Sequence, residues 1–194
     1  MNSISLKCKC GAVQGSVSHV SPKVGNHVVC YCDDCQAFAR HLSGGIGILD
    51  EWGGTRIYQT PPWHISIDKG KEQLQCLRLT PKGLYRWYTG CCNTPVGNTI
   101  SVRFPFVGLF HSFMDKDEQT ESQLGPIKGY HKLESATGEI PEEIQEVGMP
   151  KRTTFNVLWR LIKWKFTGRN QPNPFFDPSG RSISKPRVLN QNPD

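Results

Sequence analysis

Seven of the eight cysteines in this 194-residue chain fall into three tight groups. Cys8-Lys9-Cys10 is followed by Gly11, Cys30-Tyr31-Cys32-Asp33-Asp34-Cys35 reads C-x-C-x-x-C, and Cys91 and Cys92 are adjacent. Such spacings suit metal binding. Zinc takes four donors tetrahedrally at ~2.3 Å for thiolate sulfur, and a tight turn points neighbouring sulfurs the same way. No group holds four sulfurs, so a full site must join groups distant in sequence. Cys8 and Cys10 with Cys91 and Cys92 make a four-cysteine set, and closing so long a loop with metal stabilises a domain with a modest core. Cys30, Cys32 and Cys35 then stand apart as three thiolates. Three protein ligands leave a fourth position for water or substrate, which separates catalytic from structural zinc. The plainer alternative closes that site with a histidine such as His27, His41 or His111. Two ligand sets predict two zinc ions per chain.

The remaining candidates are weaker. Cys76 is alone within a strand and reads as a small buried hydrophobe. None of the six histidines shows a ligand spacing of its own. Asp33 and Asp34 cap or line the Cys32–Cys35 turn, and Arg40 and His41 just beyond are candidates for substrate contact or proton transfer.

The elements that must position these groups are mainly β. Gly (19) and Pro (14) are plentiful, and the apolar fraction is 37%, a mix that favours short strands joined by turns. Gly11 to Val20 and Asn26 to Val29 read as strands, the second leading into Cys30, and Cys35 to Leu42 as a brief helix. Trp63 to Asp68, Leu74 to Thr80 and Leu84 to Tyr88 are β segments. Pro81-Lys82-Gly83 turns the last two into a hairpin that delivers Cys91-Cys92. Thr99 to Phe106 is a further expected strand. Beyond Met114 acidic and polar residues take over, so we divide the chain into a zinc-binding domain, 1–114, and a C-terminal extension, 115–194. Within the extension Thr153 to Thr167 predicts a helix, with Phe155, Leu158, Trp159, Ile162 and Phe166 at three- and four-residue steps on the face expected to pack on the domain or on a second subunit. An extended or disordered tail follows.

Composition excludes several classes. The net charge of +6 is spread along the chain with no long basic block, so nucleic acid is not an expected partner. No apolar stretch reaches the ~20 residues of a membrane span, and residues 1–9 lack a secretory h-region. A cytoplasmic location is expected, where a disulfide framework is disfavoured.

At these motifs the sequence resembles the glutathione-dependent formaldehyde-activating enzyme family, also called the centromere-protein-V-like family, which has the Mss4-like fold. The matching residues are Cys8-Lys9-Cys10-Gly11-Ala12-Val13, Cys30-Tyr31-Cys32-Asp33-Asp34-Cys35 and Cys92-Asn93-Thr94-Pro95, over roughly the first half of the chain. Arg86-Trp87-Tyr88 and Thr60-Pro61-Pro62 look like an uncharacterised bacterial branch of that family. The resemblance implies curved antiparallel sheets around zinc, a structural site on Cys8, Cys10 and the last cysteine group, and a labile, catalytic site on Cys30, Cys32 and Cys35. It also implies carbon–sulfur lyase chemistry, in which a small thiol such as glutathione and an aldehyde are joined as an S-hydroxymethyl adduct. The last motif departs from the family's C-x-x-C-G-T. Thr89 stands at the first cysteine's place, Cys91 adjoins Cys92, and Asn93 replaces the glycine. A competing expectation is a non-catalytic zinc scaffold that binds a protein partner through Trp159, Trp164 and Phe166; the helix would equally serve a homo-oligomer.

Overall fold

The computed structural model describes residues 2–189, and the fold is mainly β. In chain order the elements are β1 (Ser3–Lys7), β2 (Gln14–Ser18), β3 (Asn26–Cys30), α1 (Asp33–Ser43), β4 (Thr55–Thr60), β5 (Ile65–Lys69), β6 (Leu74–Arg78), β7 (Tyr85–Thr89), β8 (Pro95–Thr99), β9 (Val107–Phe110), α2 (Glu118–Leu124), β10 (Tyr130–His131), α3 (Glu142–Val147), α4 (Lys151–Phe166) and β11 (Arg187–Val188). β1, β2 and β5 form a small antiparallel sheet. The other strands form one sheet in the order β10-β3-β4-β9-β8-β7-β6-β11, antiparallel except at its two ends. There β10 and β11, both from beyond residue 114, pair parallel to β3 and β6. The C-terminal segment thus covers both edges that would otherwise present unpaired backbone groups.

Alternation along the strands sorts side chains into two layers of core. Cys76, Trp87 and Leu109 face the small sheet, where they bury with Ile4, Leu6, Val17 and Ile65. Their neighbours Leu77 and Phe110 point the other way and pack on Phe38, Ala39 and Leu42 of α1. β2 lies so close to β5 that a Cβ on Gly15 would sit 2.1 Å from the Ser66 carbonyl oxygen, so only glycine fits.

Two expectations are corrected. The strand expected over 99–106 is a turned connection between β8 and β9. Pro105 has no N–H to pair, and the Phe104 amide bonds back to the Ser101 carbonyl (3.1 Å). The strand expected from Trp63 begins at Ile65, after a single 3-10 turn opened by Pro62. The tail is largely irregular as far as residue 189, but one part of it is anchored. Phe175 and Phe176 are buried in the main core against Trp87, with ring centroids 5.1 and 5.8 Å away.

The helix expected at 153–167 is present as α4, and of the two partners expected for its apolar stripe the body of the domain is ruled out. Thr153 and Trp164 are the buried residues, while Phe155, Leu158, Trp159, Ile162 and Phe166 are exposed. Arg160 explains the exposure of the stripe. Its guanidinium donates to the carbonyls of Gly25 (2.6 Å), Lys23 (2.9 Å) and Pro22 (3.3 Å) and to the Asn26 side chain. Four acceptors on one planar cation fix which face turns inward.

Candidate metal centres

The first centre is built from two turns. Between β1 and β2, Gly11 takes a left-handed conformation (φ 76°), and its amide bonds to the Cys8 carbonyl (2.9 Å). The Val13 amide donates to the Cys8 sulfur at 3.2 Å. Between β7 and β8, the Asn93 amide closes onto the Thr89 carbonyl (2.8 Å) with Asn93 at φ 53°. Asparagine tolerates that region better than other side chains, so it can stand where the resembled family has glycine. Lys9 joins the turns by donating its amide to the Thr94 hydroxyl (3.0 Å).

These turns bring four sulfurs together. Cys10 and Cys91 lie 3.4 Å apart, Cys8 and Cys10 3.6 Å, Cys91 and Cys92 3.8 Å, and Cys8 and Cys91 3.9 Å; all four sulfurs fall within 4.8 Å of one another. A tetrahedron of thiolates 2.3 Å from zinc has edges of ~3.8 Å, so the set fits a tetrahedral ion. Cys91 belongs to it despite its unusual position, and Thr89 contributes a hydroxyl. Burial opposes ionisation of Cys92, but hydrogen bonds with Thr89 (3.4 Å) and Thr94 (3.2 Å) outweigh it and hold the thiol well below its usual range.

The second centre sits where β3 meets α1. Cys30 ends the strand, Cys32 occupies the position before the helix, and Cys35 lies in its first turn, with its amide on the Cys32 carbonyl (2.9 Å). Sulfurs here face the positive end of the helix dipole, which favours thiolate. Cys30 and Cys32 are 3.3 Å apart, and the three sulfurs fall within 4.8 Å of one another. The three compete for one negative charge. Hydrogen bonds from Cys30 and Cys35 draw Cys32 far down, and the bond to Cys32 pushes Cys30 far up. Cys35 is lowered by Cys30 but raised more by Cys32 and by burial. A bound dication would let all three ionise.

Arg86 of β7 stands against this centre and is only 1% exposed. Its guanidinium pairs with Asp34 at 2.9 Å and reaches Cys35 sulfur at 3.9 Å and the Asn98 side-chain oxygen at 3.5 Å. Sequence reading missed this role, because a lone arginine in a strand gives no sign of burial. His27, His41 and His111 do not join the cluster. His27 is engaged with Gly125 (2.9 Å) and Arg56, His41 with Arg187 (2.8 Å), and His111 with Glu121 (2.8 Å). Arg40 bonds Gln36 (2.8 Å) instead of facing the sulfurs. Among the described residues, no histidine, aspartate or glutamate groups with the three sulfurs as a fourth donor.

Beside this centre opens a cavity of about 520 Å³ that Cys30, Cys32 and Cys35 line. Gln59, Gly108, Asn98 and Arg86 are cross-strand partners in one row over β4, β9, β8 and β7, and this row forms the floor. Gly108 supplies no side chain there, which keeps the floor low. His131, Met149, Thr154 and Val157 complete the lining from the C-terminal segment. A more open groove of about 700 Å³ lies elsewhere, where Arg56, His111 and Glu121 already satisfy one another. All eight cysteines are free, and Cys76 is buried with its thiol pushed up to about 12 by desolvation.

Among solved structures, a Rhodobacter sphaeroides protein is similar over 63% of this chain and 96% of its own, at 14% identity and a TM-score of 0.43. No curated protein matches. A family model matches residues 1–185, through both cysteine centres and the C-terminal helix, and the chain therefore belongs to DUF6151, a family of unknown function.

Proposed function

We propose that both centres hold zinc and that the three-cysteine centre carries carbon–sulfur lyase chemistry on a thiol–aldehyde adduct of the S-hydroxymethylglutathione type. The observation that carries this reading is the contrast in closure. Four sulfurs meet at one centre, whereas three meet at the other and line a cavity large enough for a small organic molecule. Zinc held by Cys30, Cys32 and Cys35 would supply the Lewis acidity that lowers the pKa of a substrate thiol.

The protein's own groups account for the rest. Arg86 offsets the charge of three thiolates and is itself held by Asp34 and Asn98. Gly108 adds no side chain to the floor row, and the space above it is where we put the aldehyde carbon. In the forward direction the thiol gives up its proton, the sulfur forms a bond to the carbonyl carbon, and the carbonyl π pair moves to oxygen, which takes a proton. His131, which lines the cavity, is the group we assign to deliver that proton. Cleavage of the adduct is the same sequence reversed. Three anionic ligands would make a metal held there a weak Lewis acid, which would suit adduct exchange better than hydrolysis.

The test is to incubate the protein with glutathione and formaldehyde and follow the adduct by NMR against a protein-free control. Acceleration abolished by Cys32→Ser supports the reading. No acceleration with glutathione or with simpler thiols would sink it.

A further inference from the structure

The outward face of α4 is a feature that neither metal centre uses. Phe155 (66% exposed), Leu158 (56%), Trp159 (59%), Ile162 (49%) and Phe166 (87%) form one stripe at three- and four-residue steps. From Phe155 to Phe166 the stripe is ~16 Å long at 1.5 Å per residue. Single exposed apolar residues need no explanation, but five large ones in line on one helix do. The helix does not turn them inward, because Arg160, Thr153 and Trp164 already fix its other face to the body. Thr153 donates to the Lys128 carbonyl (2.9 Å). At the far end Arg169 lies 3.9 Å over the Trp63 ring, and its carbonyl accepts from the Trp63 amide (3.3 Å). The stripe is therefore held outward on a fixed platform.

The charges around the stripe decide what covers it. α4 contains Lys151, Arg152, Arg160, Lys163 and Lys165 and no acidic residue. Arg160 is used by the body; the other four are exposed. At 3.6 residues per turn, Arg152 and Lys163 run along one edge of the stripe and Lys165 along the other, with Lys151 at its start. A second copy fits badly. Two such helices packed antiparallel would set Lys151 and Arg152 of one against Lys163 and Lys165 of the other. A flat, anionic, apolar-cored surface fits well, since the rings enter the acyl boundary while lysine and arginine reach phosphate on both sides.

We propose that α4 seats this protein on the surface of an anionic lipid bilayer, with its axis in the plane of the interface. No described helix is long and apolar enough to cross a membrane, so the attachment is peripheral. The proposal is independent of the chemistry at the cysteines. Because Thr154 and Val157 of the same helix line the cavity, the seated protein would hold the cavity beside the bilayer.

The test uses the full chain with vesicles of phosphatidylcholine alone or mixed with phosphatidylglycerol, read by co-sedimentation at low and high salt. Binding is expected to the mixed vesicles, weaker to phosphatidylcholine, and lost at high salt. Lys163→Gln and Lys165→Gln should each weaken partitioning about fivefold, the effect of about 1 kcal/mol per basic residue near such a surface. Leu158→Glu with Ile162→Glu should abolish it, and these exposed sites leave the zinc content and melting curve unchanged. Absence of binding to mixed vesicles at low salt overturns the proposal. So does binding that the Glu variants retain. A dimer in sedimentation analysis that the same variants dissociate, without lipid binding, would assign the face to a second copy.

Discussion

The two cysteine centres are made of the same atoms and differ in what encloses them. The four-cysteine centre lies between two hairpin turns and is partly exposed, with Cys10 and Cys91 at the surface. Its four sulfurs are enough for a tetrahedral ion by themselves, and an ion held there would tie β1–β2 to β7–β8. The three-cysteine centre lies at a helix N-terminus with Cys30 and Cys35 buried, a buried arginine behind it and a cavity in front. Ligand number and the space beside the ligands, more than ligand type, separate a clip from a site.

Substitutions can break that contrast. The largest effect is expected at the clip. Cys8→Ser or Cys91→Ser should remove one zinc and most of the cooperative thermal transition, since structural zinc binding is worth ~10–16 kcal/mol in small peptides and whole-domain stability only ~5–15. A circular-dichroism melt checks this, and a variant melting like the parent would remove Cys91 from the ligand set.

Next comes Arg86→Met. It removes the guanidinium that bonds Asp34 and reaches the Cys35 sulfur, so the ligands lose a positioning partner and zinc affinity there should fall about 10–100-fold, as when other outer partners of metal ligands are lost. Competition with a chromophoric chelator should show this loss at one zinc of two. Equal weakening of both would mean that Arg86 acts through the fold.

Smaller still, Asn93→Ala should cost ~1 kcal/mol because Asn93 holds a left-handed φ, whereas Asn93→Gly should be neutral or stabilising. Both are read from the midpoint of a urea melt, and an alanine variant as stable as the glycine one would contradict the turn geometry.

The smallest effect serves as a control away from both centres. Glu121 is held down to about 2 by Arg56 foremost, with His111 adding to it. Its ion pairs therefore stabilise the fold fully above the ordinary glutamate range near 4.5, and that contribution disappears as pH falls towards 2. The carboxylate is half exposed, so Glu121→Gln should cost under ~1 kcal/mol at neutral pH and flatten the acid limb of stability against pH. An unchanged limb would leave protonation of the zinc thiolates to explain acid loss.

How much of this was legible in the sequence follows from range. Cys30-x-Cys32-x-x-Cys35 and Cys8-x-Cys10 are local spacings, and local spacings dictate local turns. The β6–β7 hairpin and α1 were legible for the same reason. β1 was missed although Ile4 and Leu6 alternate with polar residues, because so short a strand differs little from a polar terminus. Arg86, His131 and Gly108 form the cavity through cross-strand register and a distant segment, which no local pattern encodes. α4 carries the sharpest lesson. Its apolar periodicity gave the helix but not which expected partner, domain or second subunit, its stripe would meet; within the chain Arg160, with four acceptors, turns that stripe away from the body.

The central claim is one closed centre and one open centre in the same chain, and zinc content measured by elemental analysis tests it most directly. The parent should hold two zinc ions, and the Cys30→Ser, Cys32→Ser, Cys35→Ser variant one, with its cooperative melt retained. Two zinc ions in that variant, or one in the parent, would contradict the account.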